Sequence, residues 1–133
     1  MTFGVSIRHA LYAVIDLARS TETDPISVAS IAQRRRIPET ALAKVFQRLV
    51  RSGLVVGMRG PHGGYRLARP AEEITVLDVM NVFEPAPVDA PEADTDAHDD
   101  RLEEFFGAVD GQVKSVFASV TIDRLAASDE TAL

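Results

Sequence analysis

The stretch RGPHGGYRLARP, residues 59–70, sets Arg59, His62, Arg66 and Arg69 around Gly60, Gly63 and Gly64. Glycine lets a chain turn with positive φ and brings backbone amides close to a ligand with no Cβ in the way. Flanking guanidiniums add charge and directional donors. Together these residues suit an anion, either the phosphates of a nucleotide or a nucleic-acid backbone. PHGG is also sound turn chemistry anywhere. The stretch lacks the Gly-Lys-Ser/Thr ending of a phosphate-binding P-loop, and no helical pattern follows directly, so the nucleotide reading falls away. Further cations stand upstream: Arg34, Arg35 and Arg36 in a run, then Lys44, Arg48 and Arg51 at four- and three-residue spacing.

Other chemistry is thin. There is no cysteine, which removes disulfides and thiolate metal sites. His9, His62 and His98 are far apart in sequence. His98 stands among Asp94, Asp96, Asp99 and Asp100, an oxygen-rich group of the kind that holds hard cations. The spacing lacks the internal glycine and terminal glutamate of an EF-hand loop, so a solvated linker is the better reading. No Ser/His/Asp set and no paired carboxylates stand out. The expectation is a non-enzyme with no cofactor and no metal.

The net charge of −6 is unevenly spread. Residues 1–70 carry 11 Lys/Arg against 4 Asp/Glu, and residues 71–133 carry 3 against 16. A basic half joined to an acidic half predicts that one end meets an anion. No apolar run approaches the roughly 18 residues of a membrane span. The apolar run at residues 10–15 is closed by Asp16, unlike a signal peptide. A cytoplasmic protein with no membrane partner is expected.

The elements that must position these residues follow from periodicity. Ile7, Ala10, Leu11, Val14, Leu17 and Ala18 make one face of a helix over 7–19. Ser27 can cap a short second helix with Val28, Ile31 and Ala32 inward. Pro38 opens a third, with Leu42, Val45, Phe46 and Leu49 buried and Gly53 past its end. Residues 54–59 and 64–69 read as two strands around GPHG. Thr75 and Asp78 have capping-box-like spacing ahead of a fourth helix. Residues 85–100, with three prolines and six acids, read as a linker. Beyond it Leu102, Phe106, Val109, Val113, Val116 and Val120 fall at spacings of 4, 3, 4, 3 and 4, an a/d seam that calls for a partner helix. Phe105 and Phe117 widen it, and Gly107 and Gly111 either weaken that helix or let another backbone approach.

Three helices followed by a hairpin is the order of a winged helix-turn-helix, a mainly α fold with a small β-hairpin. Helix three would enter the major groove with Glu39, Thr40, Ala43, Lys44, Gln47, Arg48 and Arg51 outward. The hairpin is the wing. The division expected is a DNA-binding domain over 1–84, an acidic Pro-rich linker over 85–100, and a dimerisation helix with tail over 101–133. The competing reading of a solvated helix face loses ground to the adjoining arginine run and the arginine-flanked hairpin.

The run SIAQRRRIPETALAKVFQRLVRSGLVVGMRGPHGGYRLARPAEEITVLDVMNVFE resembles the DNA-binding half of the Rrf-type family of bacterial winged-helix transcription regulators, the family of IscR, NsrR and CymR. Its specific parts are GLV before the wing, RGPHGGYRLARP as the wing and EEITVLDV after it; SVTIDRL at 119–125 is similar to the end of the family's long dimer helix. The match covers nearly the whole chain and is weakest over 85–100. It implies a homodimeric, sequence-specific repressor on a palindromic double-stranded operator. The seam residues Leu102, Phe106, Val109, Val113, Val116 and Val120 would pair the subunits, with help from helix one. DNA contacts are expected from Arg34, Arg35, Thr40, Lys44, Gln47, Arg48, Arg51, Arg59, Gly60, His62, Gly63, Gly64 and Arg66. An effector, a small molecule or a partner protein, would act at the linker or the dimer helix.

Two departures from the family pattern matter. Many members carry three cysteines between helix four and the dimer helix, where they hold an iron–sulfur cluster. Residues 85–100 here have none, and His98 is the one soft donor, so a cluster is not expected. Ala43 stands where relatives often have glutamate, so sequence preference would differ. The alternative function is a protein-interaction module that keeps the winged-helix fold without binding DNA.

Overall fold

The computed structural model describes residues 4–20, 25–61, 63–83 and 99–127. Helix α1 spans Val5–Arg19 and buries Ile7, Ala10, Ala13, Val14 and Leu17, the stripe that three- and four-residue spacing dictates. Helix α2 (Val28–Arg35) begins at Ser27, whose Oγ accepts the Ser30 amide at 3.1 Å. Helix α3 (Glu39–Arg51) follows with Pro38 at its N-cap and buries Leu42, Val45, Phe46 and Leu49.

Both α2 and α3 end in the same way. Gly53 follows α3 at φ 86°, and the Leu54 amide reaches back to the Leu49 carbonyl at 3.1 Å. After α2 the left-handed position is held by Arg36 at φ 59°, and the Ile37 amide reaches the Ala32 carbonyl at 3.0 Å. Each is a Schellman ending, in which a left-handed residue lets a later amide satisfy a carbonyl of the last turn.

Strands β1 (Val55–Met58) and β2 (Gly64–Leu67) pair antiparallel, with Val55 opposite Leu67 and Val56 opposite Arg66. Ile26 adds a one-residue bridge to Tyr65 on the other side of β2, with bonds of 2.9 and 2.8 Å. A single 3-10 turn (Ala71–Glu73) leads to helix α4 (Val76–Phe83). The expected capping box forms there: the Asp78 amide donates to Thr75 Oγ1 at 3.1 Å, and the Thr75 amide donates to Asp78 Oδ2 at 3.0 Å.

Helix α5 (Asp100–Ala118) is the longest element. Its last residue is Ala118, so Val120 lies beyond the helix that the heptad spacing had extended through it. Val120 instead accepts the Val76 amide at 2.9 Å and packs beside Ile7, Val76 and Met80 of its own chain. Thr121 bridges to Thr75, the Ile122 amide donates to the Ile74 carbonyl at 2.8 Å, and helix α6 (Ile122–Ala127) packs against α1. One core thus runs from α1 to α4 and closes with Ile122, which is fully buried. No described helix is long and apolar enough to cross a membrane.

Candidate nucleic-acid interface

The buried stripe of α3 fixes which side chains face out. Thr40, Lys44, Gln47 and Arg51 are exposed, and among the described residues none of them has a hydrogen-bond or ion-pair partner. The Thr40 hydroxyl, the Lys44 ammonium and the Gln47 amide follow one another along this face as donors for base edges, and Arg51 at the end of the helix offers a cation for phosphate. Arg48 lies on the flank of this face. It donates from Nη2 to the Val82 carbonyl at 2.9 Å, and its guanidinium sits 4.7 Å from the centre of the Phe83 ring. These contacts tie the recognition helix to the end of α4. The same place holds a hollow of about 410 Å³ lined by Ser6, Thr40, Ala41, Lys44, Arg48 and Phe83 among others.

The wing alternates as strand geometry requires. Tyr65 and Leu67 turn inward, and Tyr65 stacks on Phe46 of α3 with ring centres 4.5 Å apart. Arg66 points out, and Arg59 is exposed where β1 ends. Gly60 takes φ 122°, a conformation that strains any residue with a Cβ, and its carbonyl accepts the Gly63 amide at 2.9 Å. Gly64 has a different reason to be glycine. A Cβ there would lie 2.5 Å from both the carbonyl carbon and the oxygen of Ile26. Its backbone closeness is to this chain's own Ile26, the residue that bridges to Tyr65, although the sequence suggested a close approach to phosphate. His62 lies outside the described residues, as do 85–98 of the acidic linker with His98.

The arginine run divides. Arg35 donates to Asp16 through Nη2 at 2.6 Å and Nε at 3.0 Å and lies 4.8 Å from the Tyr12 ring centre. Its hydrogen bond to Asp16 holds its pKa above the usual arginine value; the Asp16 and Tyr12 charges act the same way, and burial opposes them. Expected at the DNA surface, Arg35 is instead committed to joining α2 to α1. Arg34 lies 3.6 Å from the same carboxylate but is 56% exposed, which leaves it free to reach outward. Arg36, which the periodicity did not single out, is exposed and has no partner among the described residues.

The seam residues Leu102, Phe106, Val109 and Val116 lie open on α5, with Phe106 55% and Val109 42% exposed. Val113 is half-buried. The Cβ positions of Gly107 and Gly111 meet nothing within 4 Å.

A helix-turn-helix with an arginine-bearing wing and a cation-rich outer face on its third helix defines a winged-helix DNA-binding regulator. Comparison with known proteins agrees. Residues 5–128 match the model of the Rrf2 family, described as iron-dependent transcriptional regulators, and the chain belongs to that family. BadM of Rhodopseudomonas palustris, named provisionally as a helix-turn-helix transcriptional regulator, is 36% identical over 86% of this chain and 74% of its own length. IscR of Cereibacter sphaeroides is 42% identical over 63% of this chain, a match spanning 56% of that protein's length. The solved structure of CymR, the global cysteine regulator of B. subtilis, superposes with TM-score 0.84 at 29% identity, covering 98% of this chain and 99% of that one. T. potens IscR superposes with TM-score 0.80 at 28% identity, covering all of this chain and 92% of that one. These relatives are transcriptional regulators rather than enzymes.

The family description invokes iron, so the donors matter. The chain has no cysteine, and the described residues contain no group of three or more His, Asp or Glu side chains placed to hold a metal ion. This donor set does not fit a thiolate-held iron–sulfur cluster.

Proposed function

We propose that this chain is a homodimeric, sequence-specific repressor that binds a palindromic double-stranded operator and does so without an iron–sulfur cluster. The observation that carries the reading is the outer face of α3 beside the wing. Thr40, Lys44, Gln47 and Arg51 are exposed without side-chain partners among the described residues, while Arg59 and Arg66 stand on a hairpin fixed to the same helix by the Tyr65–Phe46 stack. In this reading Thr40, Lys44 and Gln47 meet base edges. Arg34, Arg51, Arg59 and Arg66 meet backbone, Gly60 and Gly63 shape the wing tip, and Arg48 contributes charge from its fixed place beside Phe83. Arg35 drops out of the contact set because Asp16 occupies it.

Dimerisation through α5 is supported by its row of exposed Leu102, Phe106, Val109 and Val116 at heptad spacing, the signature of a helix that buries this face on a second copy. With two copies joined, the recognition helices would engage half-sites about one helical turn, or a multiple of it, apart. The deciding experiment is a footprint on the DNA upstream of the chain's own gene, combined with binding to bulk duplex across salt. A protected palindrome, with competition by bulk DNA only at large excess, is expected. A chain that flows through immobilised duplex at low salt would be an interaction module instead.

A further inference from the structure

The two helices of the helix-turn-helix end in the same hydrogen-bonded motif with different residues at its left-handed position. After α3 the residue is Gly53, at φ 86°. After α2 it is Arg36, at φ 59°, the single non-glycine residue with positive φ among the described ones. A left-handed conformation costs a residue with a Cβ roughly 1–2 kcal/mol, which glycine avoids and asparagine lessens by local hydrogen bonding. An arginine has no such compensation. Such a conformation persists where the surrounding structure imposes it, here the Schellman ending of α2, and residues held this way cluster at functional positions.

Nothing inside the described chain uses the Arg36 side chain. It is exposed, no carboxylate pairs with it, and no ring lies beneath it. Its neighbour Arg35 shows the contrast, since that guanidinium is occupied by Asp16 and Tyr12. Arg36 stands in the turn that leads directly into the recognition helix, beside the exposed Arg34 and four residues ahead of Thr40. A cation held there at a cost in backbone strain, with no partner among the described residues, suits an external anion.

We infer that Arg36 is a DNA-backbone contact, placed by the strained turn so that its guanidinium meets a phosphate flanking the groove that α3 enters. The inference rests on the DNA-binding reading of α3 and the wing. Because a phosphate carries no sequence information, Arg36 adds affinity on every duplex and registers the turn against the backbone, leaving base choice to Thr40, Lys44 and Gln47.

The test sets stability against affinity. Arg36→Gly relieves the left-handed strain, so its urea midpoint should hold or rise. Its affinity should fall about tenfold on operator and on unrelated duplex alike, the loss expected for one charged contact. The slope of log affinity against log salt should shrink by about 0.9. Arg36→Lys should keep most of that slope, and Arg36→Asn, which tolerates the conformation without the charge, should behave as Arg36→Gly. If Arg36→Gly binds with unchanged affinity and slope while Arg59→Ala weakens binding, the inference falls and the DNA-binding reading stands. If the wild-type chain binds no duplex at low salt, both fall together. A lowered urea midpoint with unchanged binding would make Arg36 a structural residue and also overturn it.

Discussion

Asp16 and Arg35 form a two-point ion pair across the α1–α2 boundary, at 2.6 and 3.0 Å, with the Asp16 residue only 2% exposed and the Arg35 side chain 25% exposed. A carboxylate this deeply buried needs its partner, because removing one member of such a pair leaves the other charge desolvated. Arg35→Ala should therefore cost about 3 kcal/mol, the low end for a broken buried pair, since Arg34 at 3.6 Å can compensate in part. Urea denaturation measures this. The salt slope of the folded protein on duplex DNA should stay at the wild-type value, which separates a structural arginine from a phosphate-contacting one.

The recognition helix and the wing should separate by their effect on sequence preference. Lys44→Ala should narrow the gap between operator and unrelated duplex by about 1–3 kcal/mol, the discrimination expected of a good base contact. Arg59→Ala and Arg66→Ala should weaken all duplexes similarly, each lowering the salt slope by about 0.9. Fluorescence anisotropy over a salt series reads both quantities. Unchanged affinity and slope for both wing variants would remove the wing from the interface.

Because Val109 is exposed on α5, Val109→Asp should leave the single chain folded while placing an unpaired charge in the seam. Sedimentation should show a monomer with wild-type helix content, and operator affinity should fall at least as far as the loss of one half-site demands. An intact dimer would reject the seam as drawn.

Gly64→Ala forces a Cβ to within 2.5 Å of the Ile26 backbone, so the bridge between Ile26 and Tyr65 must open or shift. A loss of about 1–3 kcal/mol in stability is expected, the usual range for overpacking, together with weaker DNA binding as the wing loses its anchor. A variant as stable as the wild type would show that this approach is looser than the geometry indicates.

With no thiolate in the chain, protein isolated under strict anoxia should be colourless and hold no stoichiometric iron or acid-labile sulfide. Operator affinity should be the same before and after an attempted cluster reconstitution. Iron and sulfide in stoichiometric amounts, with visible absorbance, would refute this.

Much of the architecture was legible because it rests on local rules. The Leu42, Val45, Phe46 and Leu49 stripe, the Ser27 cap, the Thr75–Asp78 box and the alternation of Tyr65, Arg66 and Leu67 each follow from spacing within a few residues, and each formed as read. What escaped depends on partners distant in sequence. Nothing local distinguishes Arg35 from Arg34, and only folding brings Asp16 beneath it. Arg48 looked like one more outward cation until α4 placed Val82 and Phe83 against it. Heptad counting carried the seam through Val120 because period alone does not register where a helix stops, and here the backbone leaves α5 to bond with Val76. Arg36 escaped for another reason, since its distinction is a backbone angle rather than a pattern of residue types.

The return of the chain after α5 bears on how the molecule is made. Val120 and Ile122 complete hydrogen bonds to Val76 and Ile74, and Ile122 fills the same core as Val14 and Phe46. A ribosome therefore delivers all of α5 before the last piece of the core emerges. The DNA-binding head of a nascent chain stays open at that seat during synthesis, and its closure waits on contacts of long sequence separation, which form late. Closure of the winged-helix core is thus tied to a short stretch made after α5, so a chain cut before Val120 would leave that seat empty although every residue of α1 to α4 is present.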